Sequence, residues 1–511
     1  MVPAARRPRT GSRSSIGPDG SAVAAPSSGW LPDGIALVVC LVLGVISVLT
    51  LPSLPGYDSF SWVVWGHEIA HHVIGPRLPL IFRGGPSWKP LPVVFTTIFG
   101  FFGVAVKLWI AFARGIGLLG LYAAYRLGDR LAASEDWSYA GPIAGVLGAI
   151  AVVLTSGWMH DMYRATSEPM VITTVLLWIE WHFSGRRMAA FWSGVALCLM
   201  RPEASVFLLA YALWYLWRRR GVVRGIVLLV GLVIVPLGWV LPPGIADGHP
   251  LEASSHARIY ARGHPAAVHT GLFLEVLKRA TELTMWPVLI AALVLTVIAV
   301  RARDWVIITL AGLSLSYVAV VEVMTLAGYP GLERFMLPAA ALACVLAAVG
   351  VVRLATLAGG GLTSLAAVGL LVAIAAPAFA GPYKTIPREQ RLAWTAVHSY
   401  DDLSAVARQV GGDARIFVCA SSSVSINHTA ATGFAWALGV PLDRVHGVTF
   451  VDKSAHSTGL DFFAPRNVVL GGAPTKLVHG LRGKPIHQYR MWRVIRVTRP
   501  GDSHANRCVG S

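Results

Sequence analysis

The sequence predicts an α-helical protein that crosses a membrane many times and carries a small α/β domain at its carboxyl end. Of its 511 residues, 55% are hydrophobic and only 14% are charged, and the mean hydropathy is +0.61. Long apolar runs recur between residues 34 and 380, and a run of about 20 apolar residues crosses a bilayer as a helix. After residue 380 the apolar runs become short and alternate with polar residues, which is typical of strands and amphipathic helices.

The basic residues indicate how the chain is threaded through the membrane. The net charge is +17, but arginine gathers at the ends of apolar runs, which favours lipid headgroups over nucleic acid as the partner of this charge. The predicted membrane segments are 34–51, 104–125, 139–158, 169–183, a hairpin of two short helices in 188–217, 222–241, 286–300, 306–327, 336–352 and 362–380. Every turn assigned to the cytoplasm carries Arg, so about eleven segments place the amino terminus inside and the carboxyl terminus outside.

The chain divides into three predicted parts. Residues 1–33, rich in Ser, Pro, Gly and Ala, are predicted to be a disordered cytoplasmic tail. Residues 34–380 form a membrane domain of a multi-pass plasma membrane protein, with a large first outer loop at 52–103. Residues 381–511 form the extracytoplasmic α/β domain. This domain contains Cys419 and Cys508, and the sequence leaves open whether they pair.

The first outer loop contains a carboxylate that is a candidate catalytic residue. Asp58 follows the first span by a few residues. Such an acid at the membrane surface serves either as a general base or simply as a solvated loop residue. Trp62, Trp65 and Trp88 in the same loop are expected to form an interfacial aromatic belt.

A second chemistry is suggested by a zinc-protease pattern in the same loop. His67, Glu68 and His71 spell H-E-x-x-H, which places two histidines one helical turn apart with a carboxylate as base. The pattern lies in a predicted outer loop rather than in a span, and no Asp-Gly ligand motif follows in a later span. We therefore expect these residues to belong to an amphipathic interfacial helix and keep the zinc protease as the weaker alternative.

Several short motifs occur in one order along the membrane part. They are GYDSFSWVVWG at 56–66, GPSWKPLPV at 85–93, SEP at 167–169, RPEA at 201–204, PLEAS at 250–254 and AR at 257–258. Over about residues 31–380 this order resembles the actinobacterial multi-spanning proteins of the glycosyltransferase C (GT-C) superfamily. The resemblance implies a membrane glycosyltransferase that moves a sugar from a polyprenyl-phosphate donor to a cell-envelope acceptor on the outer face.

The resemblance also implies two acids in successive outer loops. Asp58 matches the first place, and Asp161 and Glu168 are the candidates for the second. Asp161 is otherwise interpreted as a solvated turn residue, and Glu168 as a carboxylate at a helix start. Either is able to bind a divalent cation, but some transferases of this fold type work without one, so the metal is left open.

Basic residues on the outer side are candidate ligands for the donor phosphate, because Arg forms bidentate hydrogen bonds with phosphate and Lys provides a point charge. They are Lys89, Arg201, Arg258 and Arg334. Glu203 accompanies Arg201 at the break of the hairpin, where the pair either stabilises the bundle or faces the substrate. A transporter or flippase of lipid-linked sugar needs the same cations but no outer acid, and it remains the second hypothesis.

Overall fold

The computed structural model describes residues 30–74, 88–134, 137–251, 254–255, 257–258, 267–268, 271–410, 423–448, 454–455, 459–463, 476–477 and 482–498. Its helices are α1 (Trp30–Thr50), α2 (Tyr57–Ile74), α3 (Pro90–Gly100), α4 (Ala105–Ala132), α5 (Ala140–Val153), α6 (Trp158–Arg164), α7 (Glu168–Phe183), α8 (Arg187–Cys198), α9 (Ser205–Arg218), α10 (Val222–Asp247), α11 (Leu272–Thr284), α12 (Trp286–Ala302), α13 (Trp305–Leu326), α14 (Leu337–Thr356), α15 (Gly361–Gln409) and α16 (His428–Leu438). Cys419, Cys508 and residues 1–29 lie outside the described residues.

Helices occupy all of the predicted membrane segments. In the described ranges, six helices are long and apolar enough to cross a membrane, or up to eight if two bent helix pairs are each one span. The six are α1, α4, α10, α13, α14 with the turn before it, and α15. Helix α1 begins at Trp30, inside the segment predicted as a tail, because the apolar residues there extend the first span. The prediction of a multi-pass helical membrane protein is confirmed.

Helix α14 forms the centre of the bundle. In the apolar part that is long enough to cross a membrane, 89% of its residues are buried, whereas the corresponding shares are 11% in α1 and 17% in α10. Its sequence is rich in Ala, and small side chains let neighbouring helices approach closely. At Gly350, for example, an added Cβ would lie 2.6 Å from the carbonyl oxygen of Ala291 in α12. The peripheral helices expose their apolar side chains, as expected of helices that face lipid.

A half-buried carboxylate is paired at the end of the bundle predicted to be cytoplasmic. Asp33 accepts hydrogen bonds from the Tyr122 hydroxyl and the Trp181 indole, both at 3.1 Å, and forms ion pairs with Arg126 and Arg186. Such pairing offsets the cost of removing charge from water. These arginines therefore stabilise the bundle in addition to marking one side of it.

The two short helices predicted in 188–217, with a break between them, are present. Helices α8 and α9 are separated by a short 3-10 helix at Pro202–Ala204, because proline cannot donate the backbone hydrogen bond that a continuous helix requires. The break leaves Arg201 in an extended conformation and only 3% exposed. The hairpin thus positions a cation inside the protein.

The carboxyl-terminal part has the predicted α/β character. Helix α15 runs from the membrane bundle through residue 380 and ends at Gln409. A mixed sheet follows, with strand order β2-β1-β4-β7-β6. Its strands are β1 (Ser423–Asn427), β2 (Val445–Val448), β4 (Gly459–Phe463), β6 (Arg482–Tyr489) and β7 (Trp492–Thr498); β3 (Ser454–Ala455) and β5 (Lys476–Leu477) pair separately. Strand β1 is parallel to β2 and β4, whereas β7 is antiparallel to β4 and β6.

Helix α16 joins this sheet to the membrane domain by packing on α2. The Thr432 hydroxyl donates to the carbonyl oxygen of Tyr57 at 2.9 Å. Gly433 faces two stacked rings, and a Cβ there would lie 3.1 Å from Phe60 and 3.2 Å from Tyr400. Glycine at this position therefore permits the close contact between the two parts of the protein.

Candidate functional site

A cavity of about 580 Å³ lies where the first outer loop, α6, the hairpin break and the segment before α14 meet. Six of the residues singled out in the sequence line it: Asp58, Lys89, Asp161, Arg201, Glu203 and Arg334. They come from five separate stretches of the chain. The fold therefore brings together charged groups that the sequence showed only in succession.

Two cations of the cavity are held by one buried carboxylate. Glu168 is 1% exposed, and its Oε1 accepts a hydrogen bond from Arg201 Nη2 at 2.8 Å. The same oxygen lies 3.7 Å from Lys89 Nζ, which also donates to the Ser167 hydroxyl at 2.7 Å. Buried charges are tolerated when they are paired and hydrogen-bonded in this way. Glu168 is not among the residues that line the cavity, whereas both of the cations that it contacts do line it.

A second ion pair continues the network toward the start of α2. Arg334 Nη1 lies 3.3 Å from Asp58 Oδ2, and Arg201 Nη2 donates to the Arg334 carbonyl oxygen, also at 3.3 Å. The guanidinium of Arg201 also lies over the Phe335 ring, 4.9 Å from its centroid. Lys89, Arg201 and Arg334 therefore converge on one cavity that also contains Asp58.

The environment of Lys89 alters its protonation. The residue is 8% exposed, and its ammonium lies over the Trp62 ring, 5.1 Å from the centroid. Burial lowers the pKa of Lys89 to about 8, although the Glu168 carboxylate acts in the opposite direction. Lys89 thus remains mainly charged at neutral pH and loses its charge in mildly alkaline solution.

Asp161 occupies the neighbouring wall on the short helix α6. The turn before α6 is made by Gly157 in a left-handed conformation, with φ of 84°. Beside Asp161, the His160 Nδ1 lies 3.0 Å from Glu389 Oε2 of helix α15. Asp161 is therefore a second carboxylate at the cavity wall, in a region that α15 also contacts.

The carboxyl-terminal domain supplies two cavity residues that sequence reasoning missed, His428 and Thr429. The His428 ring lies 4.1 Å from the Tyr57 ring, centroid to centroid. The Asn427 side chain caps α16 by accepting from the Thr429 backbone N–H at 2.9 Å. The cavity is thus closed on one side by a segment that is remote in sequence from the membrane motifs.

Arg258 lies beside the cavity. Its guanidinium lies over the Tyr329 ring, 5.2 Å from the centroid, and Tyr329 lines the cavity. The Tyr329 hydroxyl lies 2.8 Å from the Ser254 hydroxyl, which fixes the orientation of that ring. Arg258 itself is exposed.

The zinc-protease pattern lies outside the cavity lining. The rings of His67 and His71 are 3.9 Å apart on helix α2, and His71 Nδ1 lies 2.8 Å from the His67 carbonyl oxygen. Glu68 is 5% exposed, and burial, followed by the charge of Asp443, raises its pKa to about 8. No group of three or more His, Cys, Asp or Glu side chains that could hold a metal ion occurs in the part of the chain that the structure describes.

We expect the purified wild type and the His71→Ala variant to contain the same amount of bound metal. His71 is exposed on α2 and does not line the cavity. Metal analysis of the purified wild type and variant is the measurement. If the wild type contains stoichiometric zinc and His71→Ala contains none, the result would support the protease hypothesis.

The predicted aromatic belt is wrong for the three tryptophans of the first outer loop. Trp62 and Trp65 are 0% exposed and Trp88 is 5% exposed. They are buried because α2 and α3 pack together and against the rest of the bundle, which gives these large rings protein neighbours in place of lipid headgroups. Trp88 lines the cavity and donates its indole N–H to the Gly238 carbonyl oxygen at 2.9 Å.

Fold and cavity together define a multi-pass helical membrane protein with an acid and several cations in one cavity at the end of its bundle. The chain has the fold of ArnT from Cupriavidus metallidurans. The crystal structure of ArnT bound to undecaprenyl phosphate matches with a TM-score of 0.50 and 14% identity, over 94% of this chain and 99% of that one. The apo structure matches with a TM-score of 0.52 and 15% identity, over 95% and 100%. No protein-family model and no curated protein matches the sequence.

Proposed function

We propose that this protein is a glycosyltransferase of the GT-C type that moves a sugar from a polyprenyl-phosphate donor to a cell-envelope acceptor. The observation that carries the proposal is the convergence of Lys89, Arg201 and Arg334 on one cavity that also contains Asp58. The shared fold with ArnT, which has been crystallised with undecaprenyl phosphate, supports the same conclusion. In this proposal the cavity opens toward the extracytoplasmic side.

The three cations suit a lipid-linked phosphate. Phosphate oxygens accept charge-assisted hydrogen bonds from Lys and Arg, and a guanidinium provides two parallel N–H groups. Lys89 and Arg201 are buried and already oriented by Glu168, so little reorganisation is needed when the ligand binds. As the bond to the sugar breaks, negative charge grows on the leaving phosphate, and these same cations stabilise it.

Asp58 is the proposed general base. Its carboxylate takes the proton of an acceptor hydroxyl while that oxygen attacks the anomeric carbon. The bond between the anomeric carbon and the phosphate oxygen breaks, polyprenyl phosphate leaves, and attack from the opposite side inverts the configuration. Asp161, on the adjoining wall of the cavity, is the second proposed catalytic carboxylate. Glu168 is the weaker candidate for base because both of its cation contacts use the carboxylate to hold Arg201 and Lys89.

The test is sugar transfer in reconstituted membranes with a panel of radiolabelled polyprenyl-phosphate sugars. We expect the wild type to consume one donor and release polyprenyl phosphate when an envelope extract supplies the acceptor. A carrier would move the intact donor across the bilayer without releasing polyprenyl phosphate. Translocation of the intact donor with no release from any member of the panel would favour the carrier over the enzyme.

The affinity for undecaprenyl phosphate should fall as the pH rises from 7 to 9. Because the pKa of Lys89 is lowered to about 8, this side chain changes from ammonium to neutral amine within the range, whereas a phosphate monoester, whose second pKa is about 6, changes its charge little over the same range. The loss approaches about tenfold per pH unit above the pKa if binding requires the charge. Equilibrium binding of radiolabelled undecaprenyl phosphate in nanodiscs measures it.

Two variants serve as controls for this pH dependence. Lys89→Arg keeps its charge over the whole range, so its affinity should be nearly constant between pH 7 and pH 9. Lys107→Ala removes an exposed lysine of α4 that does not line the cavity, and its profile should match the wild type. A Lys89→Arg profile parallel to that of the wild type would show that another group titrates.

A further inference from the structure

Helix α11 runs across the direction of its neighbour. It meets the membrane segment α12 at 97°, and the turn is made by Met285 with a positive φ of 63°. A helix that is nearly perpendicular to a membrane-crossing helix runs parallel to the membrane plane. The composition of α11, with four charged and several apolar residues in thirteen, suits such an interfacial position.

The surface of α11 is divided into three faces. Val276 and Leu283 are 0% and 2% exposed, and they pack on the protein. The charged face carries Glu275, Lys278, Arg279 and Glu282, which form ion pairs with one another. Between them lies an apolar face on which Phe273, Leu274 and Leu277 are 62%, 71% and 46% exposed. At 3.6 residues per turn these three side chains lie within an arc of about 100°.

The membrane segment that follows α11 also exposes apolar side chains close to the bend. Trp286, directly after the bend, is 59% exposed, and Ile290 one turn further on is 52% exposed. Tryptophan is typical of the level at which the hydrocarbon core meets the headgroups. Because exposed apolar side chains lie on both sides of the bend, the bilayer that surrounds α12 is the partner that fits α11.

Helix α11 is also connected to the segment that carries Arg334. Arg279 Nη1 donates to the Gly331 carbonyl oxygen at 3.2 Å. Gly331 has a positive φ of 57°, and an added Cβ would lie 2.8 Å from the Thr325 hydroxyl oxygen, so this backbone is closely enclosed. Three residues later, Arg334 reaches Asp58.

We infer that α11 is an in-plane helix that binds the phospholipid surface of the bilayer through Phe273, Leu274 and Leu277. Through this contact it holds the segment from Gly328 to Arg334 in place. The inference rests on the geometry of α11 and does not depend on the proposed enzymatic activity.

Photocrosslinking tests the lipid contact in the full-length protein. Benzoylphenylalanine is introduced in place of Leu274 or Leu277 and, as a matched control of similar exposure, in place of Lys278 or Glu282. The protein is reconstituted in nanodiscs of phosphatidylethanolamine and phosphatidylglycerol, and lipid adducts are quantified by mass spectrometry. We expect several-fold more adduct at the two leucine positions. Equal yields on both faces would overturn the lipid contact.

Hydrogen exchange in the same nanodiscs tests the connection to the Arg334 segment. The variant Leu274→Ser/Leu277→Ser should exchange the amides of residues 328–334 faster than the wild type, whereas Lys278→Ser/Glu282→Ser should not. Unchanged protection of α14 in both variants shows that the bundle is folded. Equal exchange of residues 328–334 in the two variants would mean that α11 binds lipid without supporting this segment.

Discussion

Asp58→Asn is expected to reduce sugar transfer by about a thousandfold, which is within the range that general-base catalysis contributes. The amide has nearly the shape of the carboxylate but is unable to accept the proton of the attacking hydroxyl. Binding of undecaprenyl phosphate should be retained or become tighter, because the substitution removes a negative charge next to Arg334. The measurement is the initial rate of transfer together with equilibrium binding of undecaprenyl phosphate.

The matched control for this prediction is Asp401→Asn. Asp401 lies on α15, is exposed and does not line the cavity, so transfer by this variant should equal that of the wild type. If Asp58→Asn retains transfer within about tenfold of the wild type, a contribution typical of general-base catalysis is absent. Asp161→Asn then becomes the variant to compare, since Asp161 is the other proposed catalytic carboxylate that lines the cavity.

Breaking the ion pair between Arg201 and Glu168 should strongly destabilise the protein. Arg201→Leu leaves a carboxylate that is 1% exposed without its nearest cation, and Glu168→Leu leaves two buried cations without their shared partner. Removing one member of a buried pair typically costs about 3 to 5 kcal/mol. Thermal unfolding in one detergent measures the loss for each single variant.

The double variant separates stability from ligand binding. Arg201→Leu/Glu168→Leu removes both charges, so its destabilisation should be smaller than the sum of the two single losses. The double variant should still fail to bind undecaprenyl phosphate, because Arg201, a proposed contact of the phosphate, is absent. Arg353→Leu removes a partly exposed ion pair with Asp304 at another place in the bundle, and its effect should be much smaller. Strictly additive losses, or full binding by the double variant, would contradict the proposed role.

The sequence predicted the helices and the charged residues of the cavity more successfully than their contacts. Arg201 stood out because a charge inside a hydrophobic hairpin is costly unless it is paired or faces water. Asp58 stood out because it follows the first span and fits the order of motifs that resembles the GT-C proteins. Glu168 was a candidate for the second acid that the resemblance implies, but an acid at a helix start gives no indication that it joins Lys89 and Arg201, which belong to distant segments. Only the packing of α3, α7 and the hairpin shows that contact.

Two features had no local signal in the sequence. Tryptophans close to a span predict an aromatic belt, and the burial of Trp62 and Trp65 follows from the packing of the helices around them. His428 lies in a domain that joins α2 through a hydrogen bond between residues 375 positions apart in the chain. Contacts of this kind depend on the complete fold, so periodicity and motif spacing give no information about them.

The most direct test of the central claim is a cryo-electron microscopy structure of the protein in nanodiscs with undecaprenyl phosphate. We predict that the phosphate lies in the cavity, with its oxygens at about 3 Å from the Lys89 ammonium and from the guanidinium of Arg201 or Arg334. Asp58 should then face the open part of the cavity where an acceptor enters. A phosphate bound elsewhere on the protein, with this cavity empty at saturating ligand, would contradict the account.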